Sequence, residues 1–390
     1  MRPARRHSLV LNLLLPDRSP RLRKPERREE SLLLAIARYC LLLALFVLAA
    51  PADSHAQSKI KLGTLLPEGT SQVNRLRAMG QQWTTQTHNA ITLTVYPGTQ
   101  GSEKQLVQKM RANSLQAATL SVGGLSEIDP AVGAIQKIPL LYHSLDEMEY
   151  VRTKLQPDME ARLAAKGFIV LFWADAGWVH ILAKQPYMRP DDFKKGKIYV
   201  TADDAQEVKL INDLGFRAVP LEWTDVFIQL KSGGIDTVPM TPYLAEASQF
   251  DTVAQYLLKI NYVALVGATV ITKTAWDALT PEQQAILRKT GADTARDVQA
   301  HSRAEADEAI TAMKNRSKLT VEDVSPALED EWRKFCEGVY PKIRNTMIPA
   351  DVFDKAIAFV AEYRAQNKSV QPTSTAKPGA AKADPKKGSK

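Results

Sequence analysis

Between residues 58 and 240 the chain alternates short, β-branched apolar runs with longer segments whose apolar residues recur every three or four positions, and few folds accept that alternation. Residues 60–66 read as a strand, and Pro67-Glu68-Gly69-Thr70-Ser71 as a turn and helix cap. Val73, Leu76, Met79 and Trp83 mark one face of the helix that follows. Residues 90–96 are a second strand, 103–111 a helix and 117–122 a third strand. Such an order buries its apolar faces as a mostly parallel, helix-flanked sheet. Ligands then lie beyond the carboxyl ends of the strands, the edge that collects residues 67–70, 97–102 and 122–126.

A second stretch repeats the theme. Residues 168–173, 178–183 and 197–200 read as strands, followed by a helix through Val208, Ile211 and Leu214. A short strand at 218–220, a helix over 224–230 and a strand at 235–238 complete it. Residues 281–314 form one long polar helix, with an interruption expected near Gly291. Two α/β units joined by crossing strands and a long helix make a two-lobed domain with a cleft between the lobes.

The ends differ in character from this body. An apolar run at residues 32–50 follows a basic stretch and leads to Ser54-His55-Ala56, the pattern of an export signal cleaved near Ala56; a retained anchor is the alternative. Cys40 lies inside that run, so the mature chain keeps one cysteine, Cys336, and stability must come from a large core. The net charge of +8 misleads: residues 1–30 carry +5 and residues 364–390 carry +6, which leaves about −3 for residues 31–363. A mildly acidic body argues against nucleic-acid binding. The Lys-, Pro- and Ala-rich end reads as a solvated tail.

Enzymatic motifs are missing from the sequence: it has no H-E-x-x-H, C-x-x-C, G-x-S-x-G or Gly-rich phosphate loop. His88, His143, His180 and His301 are scattered with no i, i+4 pair, and no cofactor or metal is expected. Adjacent Asp191-Asp192 and Asp203-Asp204 point apart and make poor acid–base pairs.

Five segments in order carry a specific resemblance: KLGTLLPEGT, KMRANSLQAATLSVGGLSEIDP, PDDFKKGKIYV, LGFRAVPLEWTDVFIQLKSGGIDTVP and VGATVITKTAWDALTPEQQ. Across residues 59–320 the chain resembles the DctP-type solute-binding proteins of tripartite ATP-independent periplasmic (TRAP) transporters. The resemblance implies an α/β, two-lobed periplasmic-binding-protein fold with a mixed sheet in each lobe. It implies residues 57–176 plus 266–305 as lobe I and 177–265 plus 306–366 as lobe II, between an export signal at 1–56 and a tail at 367–390. It also implies periplasmic location, a small-molecule ligand and TRAP-type membrane subunits as partners, with the protein a monomer or else a dimer.

Members of this family grip a ligand carboxylate with two arginines, in G-x-R and K-x-R-V segments, and add an Asn contact. The matching positions here are Val179, Tyr199 and Met240. A carboxylate enclosed without a partner costs several kcal/mol, so a carboxylate in the family's usual pose is disfavoured. Aromatic surface stands in its place: Phe172, Trp173, Trp178, Tyr199, Trp223 and Tyr243. The expected ligand-binding set is Glu68, Thr70, Gly123, Trp173, Trp178, Val179, Tyr199, Trp223, Pro239, Met240 and Tyr243, for a small, largely apolar or aromatic ligand. Trp83 and Trp276 read as core, Trp173 and Trp178 equally as cleft or core, and Asp236 and His180 as structural or ligand-facing. The alternatives are an organic-anion binder that recruits Lys184, Arg217 or Arg75, or a ligand-sensing or scaffolding protein.

Overall fold

A computed structural model describes residues 38–39 and 57–367. Apart from Arg38 and Tyr39, which are helical, the export-signal reading lies outside the described residues, as does the tail beyond Asn367. Among the described residues no helix is long and apolar enough to cross a membrane.

Among the described residues nine strands form one sheet that runs through both lobes, eight of them in the order β2-β1-β3-β8-β4-β7-β5-β6 and the ninth, β9 (Thr320–Glu322), paired with β8 off that path. In the first lobe β1 (Ser58–Thr64) pairs in parallel with β2 (Ile91–Pro97) and β3 (Ala117–Ser121). In the second, β5 (Lys197–Thr201) pairs in parallel with β6 (Arg217–Leu221) and β7 (Thr237–Met240). Between them run β4 (Phe168–Ala183) and β8 (Tyr256–Thr272), antiparallel to each other and each roughly 50 Å long at about 3.3 Å per residue. The two short strands expected at 168–173 and 178–183 are thus one strand. Its ladder is interrupted between Asp175 and Trp178, where Gly177 has φ +81°.

Local sequence sets the helices as expected. Thr70 caps α1 (Ser71–Gln86), whose Val73, Leu76, Met79 and Trp83 are buried. Ser102 and Gln105 form a capping box at the start of α2 (Glu103–Arg111). A short α3 (Val122–Ser126) follows β3, and Ser144 caps α4 (Leu145–Ala165), a helix not anticipated from the pattern. The second lobe adds α5 (Ala205–Asp213), α6 (Val226–Ser232) and α7 (Pro242–Ala247).

After α8 (Lys273–Asp277) comes α9 (Pro281–Ser317), which is unbroken at Gly291. Gly291 serves packing instead: a Cβ there would stand 3.0 Å from Phe172 Cδ1 and 3.3 Å from Leu171 O, so glycine lets α9 lie close on β4. Trp83 Nε1 donates to Thr290 Oγ1 at 2.8 Å, and Arg75 pairs with Asp297 and Glu305 at 2.6 and 2.9 Å. Both contacts tie α9 to the first lobe. At its other end Arg316 grips Asp251 through Nη2 and Nε at 2.6 and 3.2 Å and reaches Glu246 at 2.8 Å, in the second lobe.

Two terminal helices cross this plan. Within α10 (Pro326–Ile343), Trp332 and Cys336 join the second-lobe cluster around Ile181 and Phe193, while Val339 and Ile343 join the first-lobe core. The sequence groups α11 (Ala350–Gln366) with lobe II, but its Val352, Phe353, Ala356 and Val360 are buried in the first-lobe core with Met148 and Val151 of α4. Its apolar stripe fits the surface that α4 leaves open, and chain order alone does not reveal that return.

The lobes also touch across the cleft. The Ser71 amide donates to Tyr243 Oη at 2.7 Å on one side, and Lys137 Nζ donates to Asp204 Oδ2 at 2.5 Å on the other.

Two outcomes follow from these ties. Asp251 is fully buried, so Arg316→Ala strands its charge and lowers stability by about 2 kcal/mol in urea unfolding, with Arg316→Lys recovering part; an unchanged midpoint refutes the tie. The two cross-cleft bonds together contribute about 2 kcal/mol to closure, some 30-fold in the closed-to-open ratio. The double variant Tyr243→Phe, Lys137→Met therefore shows a larger radius of gyration in small-angle scattering; an unaltered curve means these bonds do not hold the lobes together.

Candidate functional site

A cavity of about 840 Å³ lies between the lobes, within the size range of small-molecule pockets. Its floor is the crossing pair β4 and β8, with Val179, Ala264's neighbour Val263, and Gly267. A Cβ on Gly267 would meet Leu120 O at 2.6 Å, so glycine is needed where β8 passes β3. The first-lobe wall is the edge predicted from strand order: the ends of β1 and β2 and the β3–α3 turn, with Gly98, Ser102 and Gly123. Opposite stand Tyr199 of β5, Trp223, the end of β7 and Tyr243 of α7. Trp332, Phe335 and Cys336 of α10 close one end.

The electrostatics of this space are set by carboxylates. Glu103, first residue of α2, accepts from Ser121 N and Ser121 Oγ at 2.6 Å each and from Gly124 N at 2.8 Å. Burial raises its carboxyl above the ordinary range; these hydrogen bonds oppose that, and Asp203 across the cleft adds to it. Glu207, in the first turn of α5, is pushed up to about 7, first by burial and then by Asp204, with Lys137 acting the other way. Burial also raises Asp175. The Tyr199 phenol is pushed up to about 12, mainly by burial, with Glu207, Glu103 and Glu222 contributing negative charge. Tyr199 and Trp223 lie 6.5 Å apart between ring centroids, tilted by 58°.

Of the residues singled out in the sequence, the cavity brings together Gly123, Val179, Tyr199, Trp223, Pro239, Met240 and Tyr243. The three positions where the resemblance expects arginine, arginine and asparagine thus share one space, because β4 pairs with β7 at His180 and Met240 while β5 lies beside β7. Four others are elsewhere. Trp173 is buried in the first-lobe core and donates its Nε1 to Glu160 at 3.1 Å, and Trp178 packs against the same core. Both point away from the cleft because the pleat turns them to the opposite face of β4 from Phe172 and Val179. Glu68 is exposed in a bidentate pair with Arg77 at 2.6 and 2.7 Å, and Thr70 is spent on capping α1. Trp83 and Trp276 are core, as read.

The candidate cations of the organic-anion alternative do not line the cavity. Arg75 is bound to α9, Lys184 Nζ donates to Leu230 O at 3.1 Å, and Arg217 is exposed on β6. Asp236 accepts from Lys197 N at 2.9 Å as a strand-end brace, and His180 is buried with Nδ1 2.8 Å from Ile260 O. Glu103, Asp203, Glu207, Tyr262 and α10 are the lining elements that sequence reasoning missed. The one available signal is Asp203 and Glu207 flanking the start of a helix directly after the Tyr199 strand.

Glu207 yields a pH test. The folded protein keeps a proton that the unfolded chain releases above its ordinary value of 4.5, so stability falls as pH rises from there to about 7 and is level beyond. Glu207→Gln removes that penalty: its melting temperature exceeds the parent's by about 2–4 °C at pH 8 and matches it at pH 4. Equal gains at both pH values would show that the carboxyl's charge is not the cause.

Comparison with known proteins agrees with this geometry. The family model for DctP, bacterial extracellular solute-binding protein family 7, matches residues 62–346. A solute-binding protein of Chromohalobacter salexigens is 25% identical over 231 residues, 59% of this chain and 65% of its own length, just under two thirds of that relative. The C4-dicarboxylate-binding periplasmic protein DctP of Rhodobacter capsulatus is 20% identical over 66% of this chain and 78% of its own. A TRAP periplasmic solute-binding protein from Shewanella oneidensis, solved with bound succinate, superposes with a TM-score of 0.72 over 78% of this chain and all of its own, at 19% identity. The chain belongs to the DctP family of bacterial extracellular solute-binding proteins.

Proposed function

We propose that this protein is exported to the periplasm, captures a small, largely apolar or aromatic organic ligand in its inter-lobe cavity, and hands it to TRAP-type integral membrane subunits without transforming it. One observation carries the reading: the cavity presents Val179, Tyr199 and Met240 where the resemblance expects carboxylate-binding side chains, and no arginine lines it among the described residues. Relatives are named for C4-dicarboxylate or were solved with succinate, ligands that need a cationic partner. Enclosing about 200 Å² of apolar ligand surface against Tyr199, Trp223, Phe172 and Met240 is worth roughly 5 kcal/mol before association costs, enough for a weak to moderate binder. The cross-cleft bonds at Ser71–Tyr243 and Lys137–Asp204 supply a way to enclose it, and β4 and β8 supply the hinge.

Tyr199 is the decisive position. An arginine there would be drawn to Glu207, Glu103 and Glu222 and would fill the aromatic end of the cavity. Native mass spectrometry identifies the molecule that co-purifies with the protein, and calorimetric titration then measures it against two variants. Tyr199→Arg weakens binding by about 2 kcal/mol, roughly 30-fold, and Tyr199→Phe by about 1 kcal/mol or less. Tighter binding by the arginine variant would overturn the apolar reading in favour of an organic anion.

A further inference from the structure

We propose that the ligand is an organic cation, a small aromatic or alicyclic primary amine in its ammonium form, whose charged head lies among Glu103, Asp203 and Glu207 while its apolar body lies against Tyr199 and Trp223. This rests on the apolar-cavity reading and adds a charge to it. The cavity's existence comes from the fold; the lining names the ligand. Seven carboxylates line it, against two lysines. Both lysines are already paired, Lys137 with Asp204 at 2.5 Å and Lys104 with Glu127 at 4.0 Å. Glu103, Asp175, Asp203, Glu207 and Glu222 form no ion pair among the described residues, and among the described lining residues there is no arginine or histidine.

Two further atoms point to a missing partner. Asp203 Oδ2 and Thr237 Oγ1 both line the cavity, are shielded from solvent and have no hydrogen-bond partner, and Thr237 is only 1% exposed. An ammonium donates up to three hydrogen bonds, and a carboxylate and a hydroxyl oxygen are the acceptors it uses. Buried polar atoms are costly when left alone, so an occupant that satisfies both is favoured over one that satisfies neither. An anion would meet uncompensated negative charge, and a neutral body would leave that charge unrelieved. The faces of Tyr199 and Trp223 complete the fit, since aromatic rings attract desolvated cations. Glu103 alone would not suffice, because the β3–α3 turn already takes its oxygens.

The test is a matched series titrated into the purified protein by calorimetry: benzylamine and cyclohexylmethylamine, the corresponding alcohols, and the corresponding carboxylates. The expected result is that the amines bind at least tenfold tighter than the alcohols and that the carboxylates do not bind. Asp203→Asn and Glu207→Gln should each weaken the amines at least fivefold and leave the alcohols unchanged. If alcohols bind as well as amines, the apolar cavity stands and the cation proposal falls. If carboxylates bind tightest, both fall. A series in which no amine binds, amine affinities untouched by both variants, or a response to Mg²⁺ or Ca²⁺ that the amines do not share would each overturn the cation proposal.

Discussion

The antiparallel pairing of β4 with β8 is the contact on which the rest depends. Each strand contributes its first half to one lobe and its second half to the other, running in opposite directions. The parallel triplets β2-β1-β3 and β6-β5-β7 are therefore extensions of one ladder, attached at opposite ends of the pair. A hydrogen-bonded ribbon of two strands resists stretching but bends and twists where its ladder is broken, and this one is broken next to Gly177, beneath the cavity. The long α9 spans the same distance and is pinned by Trp83 and Arg75 at one end and Arg316 at the other, which limits the directions in which the ribbon can flex.

Much of this was legible in the sequence because it is local. Strand and helix periods, the caps at Thr70 and Ser102 and the edge that gathers ligand-facing turns all follow from residues a few positions apart. What failed was non-local. The 16-residue β4 reads as two strands because Asp175-Ala176-Gly177 breaks the apolar run, yet β8 alongside keeps the chain extended. Gly291 reads as a helix interruption, yet the cost of glycine in a helix, about 1 kcal/mol, is outweighed by close contact with β4. The return of α11 to the first lobe has no signature in its own residues.

The site divides the same way. Val179, Tyr199 and Met240 stand on three strands, and a family resemblance placed them where periodicity could not. Trp173 and Trp178 show the limit of counting aromatics: five residues apart across a ladder irregularity, both face core, and residue type alone does not decide the face. The carboxylates were hidden for another reason. The body of the chain is only mildly acidic, and net charge says nothing about where the charge collects.

Part of that collection has a structural origin. Glu103 cannot leave freely, because its carboxylate satisfies Ser121 and Gly124 at the start of α3, and three short hydrogen bonds there offset part of its desolvation. Asp204 is similarly committed, capping α5 and pairing with Lys137 across the cleft. Glu207 is displaced upward first by burial and then by the neighbouring Asp204. Asp203 and Glu207 have no comparable structural duty: neither carboxylate takes part in a hydrogen bond among the described residues, although either could be replaced by an amide of nearly the same shape. Their carboxyl groups are therefore free to act on whatever enters the cavity.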